Sequence, residues 1–409
     1  MKTKISIFWF RRDLRLEDNV GLYKALASNF PVLPVFIFDE TILNKLENKK
    51  DRRVDYIHQA LLAINSVRVF NARLNTFYGD PLDVFKMLSG KYIVQSVFCN
   101  RGYEPETIKR DMEIYQFFNK QNISFKALKD QVLFDKNDVM KNDGTPYTVY
   151  TPYSKKLKET LTEENFKPYN SDYTNFLKQE AAEIHSLNAI GFEKTGITFE
   201  SPKLDAKIID EYDKFRDYPA MQRTTMLGIA LRFGTISIRK CVAFALNHNQ
   251  TWLNELIWRE FFMQILYHFP KVVNESFKAK YDHINWRNNE KEFEKWCEGK
   301  TGYPIVDAGM RQLNQTGYMH NRGRMIVASF LCKHLLVDWR WGEAYFAQKL
   351  NDYDLSANNG NWHRAQVVML HLISGFLTQL FKPKSLTKSW NILENGCPNL
   401  EQMLIQNQS

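Results

Sequence analysis

Two hydrophobic patterns divide this chain of 409 residues. In residues 1–135, short apolar runs rich in β-branched and aromatic side chains alternate with helical patterns, which is typical of βαβ units. We expect buried strands at residues 5–10, 31–39, 75–79 and 96–100, and helices around residues 51–70 and 105–121. The pattern predicts an amino-terminal α/β domain with a doubly wound parallel sheet.

The pattern changes twice beyond residue 135. Residues 136–200 contain stretches such as "KNDGTPYTVYTPYSKK" that are rich in turn residues, which predicts an inter-domain linker. Helical periods dominate residues 201–362 and predict an all-helical second domain. Residues 363–409 show neither a clear helical period nor strand alternation.

Composition places the chain among soluble globular proteins, with 44% hydrophobic and 25% charged residues. No apolar run approaches the roughly 20 residues of a membrane helix. The start, "MKTKISIFWFRRD", has too short an apolar stretch for a signal peptide. The five cysteines form no C-x-x-C pair and no spacing that suits a metal. We expect a cytoplasmic protein with reduced thiols and no metal.

The formal net charge of +9 favours a polyanionic partner, because phosphate neutralisation by Lys and Arg dominates affinity for nucleic acids. A basic solvated surface without any partner explains the charge equally well. No G-x-G-x-x-G or P-loop follows the predicted strands. A nucleotide site in the amino-terminal half would therefore lack a phosphate fingerprint.

The segment "TWLNELIWREFF" combines aromatic, acidic and basic side chains on one predicted helix. Its spacing brings Glu255 onto one face with Trp258 or Arg259, one turn from Trp252. Indole, carboxylate and guanidinium groups suit a pocket that stacks on flat rings and makes a few directed hydrogen bonds. The alternative is tryptophan in the core with Glu and Arg reaching water.

The segment "MHNRGRM" places Asn321, Arg322, Arg324 and Met325 within two turns of helix. Two arginines are not buried without partners, so one is expected to meet a carboxylate and the other a phosphate or solvent. The candidate carboxylates are those of Asp352 and Asp354 in "NDYDLSANNG". His320 fits a hydrogen-bonded structural histidine better than a ligand or a base.

The paired hydroxyl residues Thr224 and Thr225 in "QRTTMLGIALRF" precede helix-compatible sequence. Hydroxyl and backbone N–H groups at such a position bind phosphate well. A plain helix N-cap without a ligand is the alternative.

These stretches together resemble the photolyase/cryptochrome flavoprotein family, and most closely its microbial class I cyclobutane pyrimidine dimer photolyases. The resemblance runs from "FWFRRDLRLEDN" to "YDLSANNGNW", and "WLNELIWREF" and "KTGYPIVDAGMRQLNQTGYMHNRGRM" are long, specific parts of it. It implies an α/β antenna domain and a helical FAD-binding domain. Reduced, light-excited FAD would give an electron to a pyrimidine dimer that has been extruded from damaged DNA. A monomer bound to DNA is expected.

The resemblance also assigns individual residues. The positions that match the family's FAD-binding residues are Tyr212, Thr224, Thr225, Leu227, Trp252, Asn321, Arg324, Asp352, Asp354 and Asn358. The positions that match groups at the lesion are Glu255, Trp258 and Met325, and those that match DNA-binding arginines are Arg216, Arg259 and Arg322. The reducing tryptophan chain would be Trp362, Trp339 and Trp286.

Asn358 is the position that bears most on redox chemistry. It would face the reactive ring nitrogen of the flavin, where plant cryptochromes tend to carry aspartate. With Glu255, Trp258 and Met325 it favours a repair enzyme, and we count these four as catalytic. The alternatives are a cryptochrome-like blue-light photoreceptor without repair and an inactive product of a broken gene. A (6-4) photoproduct enzyme is disfavoured by the Asn and Met of "MHNRGRM".

Two segments depart from the family pattern. The flavin phosphate loop usually reads G-T-S-x-L-S, whereas "RTTMLG" begins with Arg223 and ends with Gly228. Folate-binding members place Asn-Glu where this chain has Glu106 and Thr107. The antenna chromophore is therefore open between a folate, a deazaflavin, a second flavin and none.

The sequence after Trp362 departs completely from the family pattern. Family members continue into a run like S-G-T-G-C-D, whereas this chain reads "HRAQVVM". The codons CAT CGG GCA CAG GTT GTG ATG encode that heptapeptide, and the same bases read two positions later encode Ser-Gly-Thr-Gly-Cys-Asp. Extending the offset gives a family-like carboxyl terminus. Our hypothesis is that residues 363–409 are translated out of frame, and a lineage-specific tail is the alternative.

We expect an out-of-frame tail to leave the flavin pocket incompletely lined, so that the chain binds FAD weakly and repairs poorly. The gene's nucleotides around the Trp362 codon provide the test. We expect the codons after Trp362 to encode a family-like run in another frame. If no other frame encodes one, the hypothesis is wrong.

Overall fold

The computed structural model describes residues 2–67, 73–178 and 183–367, with side chains described up to residue 363. Most of the proposed out-of-frame tail, residues 368–409, therefore lies outside the described residues. The chain divides into two compact units. The first comprises Met1–Leu204, Leu227–Asn247 and Leu256–Tyr267, and the second comprises Asp205–Met226, His248–Glu255 and His268–Ser409. We describe each unit by itself.

The first unit is built on a parallel sheet of five strands in the order β3-β2-β1-β4-β5. The strands are β1 Lys4–Phe10, β2 Val32–Asp39, β3 Asn75–Gly79, β4 Ile93–Asn100 and β5 Ser124–Leu128. The predicted doubly wound parallel sheet is confirmed. The sequence analysis missed β5, because this edge strand has no fully buried residue and carries a lysine in its centre.

Both faces of the central strands are buried, so their sequences read as continuous apolar runs. Phe8 and Phe10 of β1 belong to one hydrophobic cluster, whereas Ile7 and Trp9 belong to another. Successive side chains of a strand point to opposite faces of the sheet. The strand thus contributes alternately to two cores, one on each face.

Helices surround this sheet. Those before residue 170 are α1 Val20–Leu26, α2 Glu40–Leu43, α3 Arg52–Ser66, α4 Pro81–Lys91, α5 Pro105–Asn119, α6 Tyr150–Thr160 and α7 Glu163–Phe166. Their starts follow local rules: Asp51 and Asp80 cap α3 and α4 with their carboxylates, and Pro105 occupies the first position of α5. Helix α6 lies in the segment predicted as a linker, where it buries Tyr153 and Leu157.

Helices also form most of the described chain between residues 206 and 367. They are α8 Ala206–Asp210, α9 Tyr212–Phe215, α10 Gly228–Phe233, α11 Ile238–His248, α12 Gln250–His268, α13 Glu290–Glu298, α14 Pro304–Thr316, α15 Asn321–Lys333, α16 Trp339–Lys349 and α17 Leu355–Val367. Short 3-10 turns lie at Tyr173–Asn175, Asn188–Ile190, Pro219–Met221, Pro270–Val273 and Ala279–Tyr281. The all-helical character predicted for residues 201–362 is confirmed.

Helices α13 to α17 of the second unit share one hydrophobic core, to which Trp296, Leu331, Phe346 and Trp362 contribute. Helix α14 ends at Thr316, and its C-cap residue Gly317 has a left-handed φ of 70°. A Cβ atom there would lie 2.1 Å from the amide oxygen of Asn351. Only glycine fits such a position, and the break separates α14 from α15. Among the described residues, no helix is both long and apolar enough to cross a bilayer.

The first unit contains a buried network of ion pairs formed by Arg15, Asp18, Asp130 and Arg239. Asp130 accepts hydrogen bonds from Arg15 and Arg239 at 2.8 Å, and Arg239 Nε also donates to Asp18 at 2.9 Å. All four side chains are at most 8% exposed. Burial opposes ionisation of Asp130, but the two guanidinium groups outweigh it and lower the pKa of that carboxyl. This network connects the segment after β1, the segment after β5 and helix α11.

Removing one partner from a buried ion pair leaves an uncompensated charge, which costs about 3–5 kcal/mol. We therefore expect Asp130→Asn to lower the free energy of unfolding of the first unit by that amount, measured by urea denaturation. The control is Glu17→Gln, which breaks an exposed pair with Lys240 in the same region. Exposed pairs contribute at most about 1 kcal/mol. Equal losses in the two variants would contradict a structural role for the network.

Candidate functional site

Four charged side chains form an ion-pair chain on the second unit. Arg216 Nη1 donates to Glu255 Oε1 at 2.6 Å, and Arg322 Nε donates to Asp217 Oδ1 at 2.9 Å. Arg216 Nε lies 3.6 Å from the same Asp217 oxygen, so the two pairs are continuous. The side chains are between 23% and 50% exposed. Two predicted DNA-binding arginines and the predicted lesion carboxylate are thus brought together.

Tyr212 begins helix α9 and lies against this chain. The guanidinium carbon of Arg216 is 5.4 Å from the centre of its ring. Burial, followed by the negative charge of Glu255, raises the pKa of the Tyr212 hydroxyl. The phenol therefore stays protonated and can donate a hydrogen bond to a ligand.

The predicted pairing of an arginine of "MHNRGRM" with an aspartate of "NDYDLSANNG" is confirmed. Arg324 Nη2 lies 3.0 and 2.9 Å from the two carboxylate oxygens of Asp352, and Arg324 Nε donates to the backbone oxygen of Met319. Asp354 has a different local task, because its Oδ1 accepts from the backbone N–H groups of Ser356 and Ala357 at the start of α17.

Asn358 on α17 is held in one orientation. Its amide Nδ2 donates to Glu343 Oε1 at 2.9 Å, and Tyr353 donates to the same oxygen at 3.1 Å. Burial raises the pKa of the Glu343 carboxyl, although both hydrogen bonds oppose the rise. Because Glu343 takes the NH2 group, the amide carbonyl of Asn358 is the group left for a ligand.

Sequence reasoning missed Glu343. Its signal was a carboxylate in "WRWGEAYF", where the buried residues of α16 are Trp339, Gly342 and Phe346. A carboxylate next to the buried stripe of a helix needs a partner. The partner lies 15 residues further along the chain, beyond the reach of any helical period.

The predicted phosphate loop has an irregular backbone. Gln222 and Met226 both have positive φ values, 45° and 54°. The N-cap of α10 is Leu227, which makes no side-chain capping bond, so the interpretation of the threonine pair as a plain N-cap is wrong. Thr224 Oγ1 instead lies 3.3 Å from the hydroxyl of Tyr318. Non-glycine residues with such φ values are strained and concentrate at functional sites.

Arg223, which stands where the family has glycine, forms an ion pair with Glu211. Its guanidinium also lies 5.1 Å from the ring centre of Phe215. The extra positive charge is therefore compensated within the second unit. Thr225, two residues after Arg223, is half-buried.

The start of α15 presents Asn321 and Met325 to solvent, and the Met325 side chain is 42% exposed. The Met325 sulfur lies 3.9 Å from Asn321 Nδ2 and 3.7 Å from Arg322 Nη1. His320 caps the helix, because its Nδ1 accepts from the backbone N–H of Arg322. Burial and the charges of Arg324 and Arg322 lower the pKa of His320 to about 4. The predicted structural role of His320 is confirmed.

Three predicted site residues lie in the first unit: Leu227, Trp258 and Arg259. Arg259 Nη1 donates to the backbone oxygen of Gln131 at 2.7 Å and Arg259 Nη2 to that of Leu231 at 3.3 Å. The arginine is thus engaged by the fold itself. In the second unit, Trp252 is only 3% exposed, which agrees with the core interpretation for that indole.

Trp258 is half-buried and carries an aromatic partner that the sequence did not indicate. The ring of Tyr150, the first residue of α6, stacks on it with centroids 3.5 Å apart and planes 5° apart. Phe261 and Phe262 contact the same indole at 5.7 and 5.5 Å. A ligand ring that stacks on Trp258 must therefore share this indole with Tyr150.

The three tryptophans of the predicted electron chain belong to one hydrophobic cluster of the second unit. Trp362 and Trp339 are 2% and 1% exposed, and Trp286 packs against the cluster as a partly buried residue. The ring of Trp362 lies over Gly342, where a Cβ atom would come within 2.2 Å of it. Arg340 lies 4.9 Å above the Trp339 ring.

Comparison with known proteins agrees with this architecture. Residues 6–170 match the family model "DNA photolyase", and residues 252–391 match "FAD binding domain of DNA photolyase". A deoxyribodipyrimidine photo-lyase from Synechococcus sp. is 35% identical over 388 residues, which cover 87% of this chain and 80% of that protein. The chain therefore belongs to the DNA photolyase family, as the resemblance implied.

Solved structures give the same result. A bacterial class III photolyase from Agrobacterium tumefaciens matches with a TM-score of 0.85 and 29% identity, covering 98% of this chain and 88% of that one. An archaeal photolyase from Sulfolobus tokodaii matches with a TM-score of 0.83 and 33% identity, covering 97% and 90%. That archaeal structure holds two FAD molecules and implies a novel light-harvesting cofactor.

The stack of Tyr150 on Trp258 predicts a measurable coupling. Aromatic pairs contribute about 0.5–1.5 kcal/mol beyond the area that they bury. We expect a double-mutant cycle of Tyr150→Leu and Trp258→Leu to give a coupling energy in that range, measured by urea denaturation. Tyr150→Phe keeps the ring and should retain the coupling. Additive effects of the two leucine substitutions would show that the rings do not interact in solution.

Proposed function

We propose that this protein is a light-driven lyase that splits cyclobutane pyrimidine dimers in DNA, with FAD as its cofactor. The observation that carries the proposal is the fixed neutral amide of Asn358, whose NH2 group is held by Glu343. A repair enzyme of this family is expected to carry such an amide, whereas aspartate is typical of plant cryptochromes. We further propose that it acts as a monomer on DNA in the cytoplasm.

The donors and acceptors of the second unit suit a dinucleotide. We propose that its cofactor-binding residues are Tyr212, Thr224, Thr225, Trp252, Asn321, Arg324, Asp352, Asp354 and Asn358, together with Leu227 of the first unit. The Arg324–Asp352 pair supplies a fixed guanidinium and carboxylate, and the Thr224 and Tyr318 hydroxyls supply polar groups beside the irregular loop. When bound and reduced, the flavin supplies the electron that opens the dimer after light absorption.

Asn358 would tune that chemistry through its orientation. With the NH2 group committed to Glu343, the amide carbonyl can accept a hydrogen bond from a ring N–H. A carboxylate at position 358 would instead meet the Glu343 carboxylate, and two like charges at that distance are unfavourable. The Glu343 contact therefore favours an amide at this position over an acid.

Glu255 would recognise the lesion directly. Pyrimidine dimers of thymine carry imide N–H donors, and a carboxylate is an acceptor when ionised. The contact with Arg216 holds the Glu255 carboxylate in place and compensates its charge. Met325 and Trp258 would add apolar contacts to the lesion, and Tyr150 sets the plane of the Trp258 indole.

The remaining assigned residues would serve DNA and electron supply. Arg216, Arg259 and Arg322 would hold the DNA near the lesion, in keeping with the net charge of +9. The indoles of Trp362, Trp339 and Trp286 would carry electrons from the surface toward the cofactor, since all three contribute to one cluster. The antenna chromophore stays unassigned.

A light-dependent repair assay tests the proposal on two proteins: the chain as it stands and a frame-restored chain with a family-like carboxyl terminus. We expect the frame-restored chain to retain flavin absorbance through gel filtration and to repair a dimer-containing oligonucleotide only in blue light. We expect the unaltered chain to retain little flavin. Glu255→Ala in the frame-restored chain should weaken dimer binding by about 1.5–3 kcal/mol, the value of a hydrogen bond to a charged group.

Two outcomes would contradict the proposal. If the frame-restored chain holds FAD and is photoreduced but leaves dimers intact, the photoreceptor alternative is favoured. If the unaltered chain retains flavin as firmly as the restored one, the expected effect of the tail is wrong.

A further inference from the structure

Asp217 is a charged residue to which neither the sequence nor the family resemblance gives a role. It follows the C-cap of α9, and its side chain is 50% exposed. Its Oδ1 lies 2.7 and 2.9 Å from two nitrogens of Arg322 and 3.6 Å from Arg216 Nε. One carboxylate oxygen thus serves two arginines that are both proposed to bind DNA.

The Asp217 carboxylate lies between two guanidinium groups and uses N–H donors that a DNA phosphate could also use. Arginine binds carboxylate and phosphate with the same forked geometry, so the two anions compete for one donor set. The Arg322–Asp217 pair is open to water, with 37% and 50% of the side chains exposed. Exposed pairs contribute at most about 1 kcal/mol, so a DNA phosphate can displace the carboxylate at small cost.

The second link of the chain connects this competition to the lesion. Arg216 is shared, because its Nη1 donates to Glu255 at 2.6 Å while its Nε faces Asp217. Undamaged DNA offers only phosphates to the arginines and must displace Asp217 without compensation. A dimer that engages Glu255 draws this carboxylate away from Arg216, so that Asp217 can pair with Arg216 and release Arg322 to a phosphate at smaller cost.

The other charged groups around Asp217 do not replace it as a competitor. Arg324 is engaged by Asp352, and burial keeps His320 neutral at physiological pH. Asp213 lies nearby on helix α9, but its carboxylate accepts from the Asn249 amide at 2.9 Å. Asp217 is the carboxylate that the described contacts give to Arg322.

We propose that Asp217 is a specificity-determining residue that acts as an internal phosphate mimic: it weakens binding to undamaged DNA by holding Arg322 and Arg216. This inference rests on the proposed function, since it takes both arginines as DNA contacts. Asp217 acts through the arginines and touches no reacting atom, so it is a positioning residue and not a catalytic one.

The test is the binding of Asp217→Asn to matched duplexes with and without a thymine dimer, measured by fluorescence anisotropy over a range of salt concentrations. All variants are made in the frame-restored chain, because the unaltered chain is expected to line the pocket incompletely. We expect affinity for undamaged DNA to rise about 2–5-fold, since an exposed pair contributes at most about 1 kcal/mol. The slope of log K against log salt should steepen by about 0.9, the contribution of one more neutralised phosphate. Affinity for the dimer should rise less, so the specificity ratio falls.

Two variants control the experiment. Asp213→Asn makes the same change in net charge four residues earlier in the chain without touching either arginine, so the specificity ratio should stay unchanged. Asp217→Glu retains the carboxylate and should restore most of the ratio. Thermal unfolding of all three variants checks that the exposed substitutions leave the fold intact.

The outcomes separate the inference from the proposed function. If Asp217→Asn weakens binding to both duplexes, Asp217 only orients the arginines and the inference is overturned. If Asp213→Asn reproduces the effect, overall charge explains it and the inference is equally wrong. If the frame-restored chain without the Asp217 substitution shows no preference for the dimer, the proposed function fails, while the salt slope for undamaged DNA still decides whether Asp217 competes with phosphate.

Discussion

The buried network of Arg15, Asp18, Asp130 and Arg239 is the constraint on which the first unit depends. It replaces apolar contacts at the point where the segments after β1 and β5 meet helix α11. Buried charges are tolerated only when they are paired and hydrogen-bonded. The charged motif "FWFRRDLRLEDN" is therefore largely a structural motif. Its arginines are internal partners, as when Arg11 pairs with Asp111 and is 9% exposed.

The ion pairs of the second unit differ from this network in their exposure. Side-chain exposure of the paired groups rises from 25% and 18% in Arg324–Asp352 to 37% and 50% in Arg322–Asp217. Solvent screening makes exposed pairs weak and exchangeable, whereas buried pairs are costly to break. The buried Arg15–Asp130 pair of the first unit is therefore costly to break, whereas the exposed Arg322–Asp217 pair of the second unit is the one that we propose a ligand displaces.

The sequence predicted the secondary-structure elements better than it predicted the side-chain contacts within the site. Short continuous apolar runs located β1 to β4, because both faces of these strands are buried, and helical periods located the long helices. β5 was missed at the sheet edge, and α6 was missed inside a segment rich in turn residues. Within the site, the aspartate partner of Arg324 was narrowed to two candidates. Tyr150, Glu343 and Asp217 were missed. Their partners Trp258, Asn358 and Arg322 lie at least 15 residues away in sequence, and helical or strand periodicity does not predict contacts at that separation.

His363 bears on where the proposed change of reading frame would begin to matter. It is the first residue of the proposed out-of-frame tail, yet its Nε2 lies 2.9 Å from the backbone oxygen of Val272. The amide of Asn359 donates to the same oxygen at 2.8 Å. A carbonyl only accepts, so Nε2 of His363 carries the proton. Restoring the frame would replace His363 itself, so we expect it to remove this contact with Val272. The amide of Asn359 precedes the tail, so its hydrogen bond to the same oxygen is expected to persist and to hold the turn that carries Asn358 and Trp362.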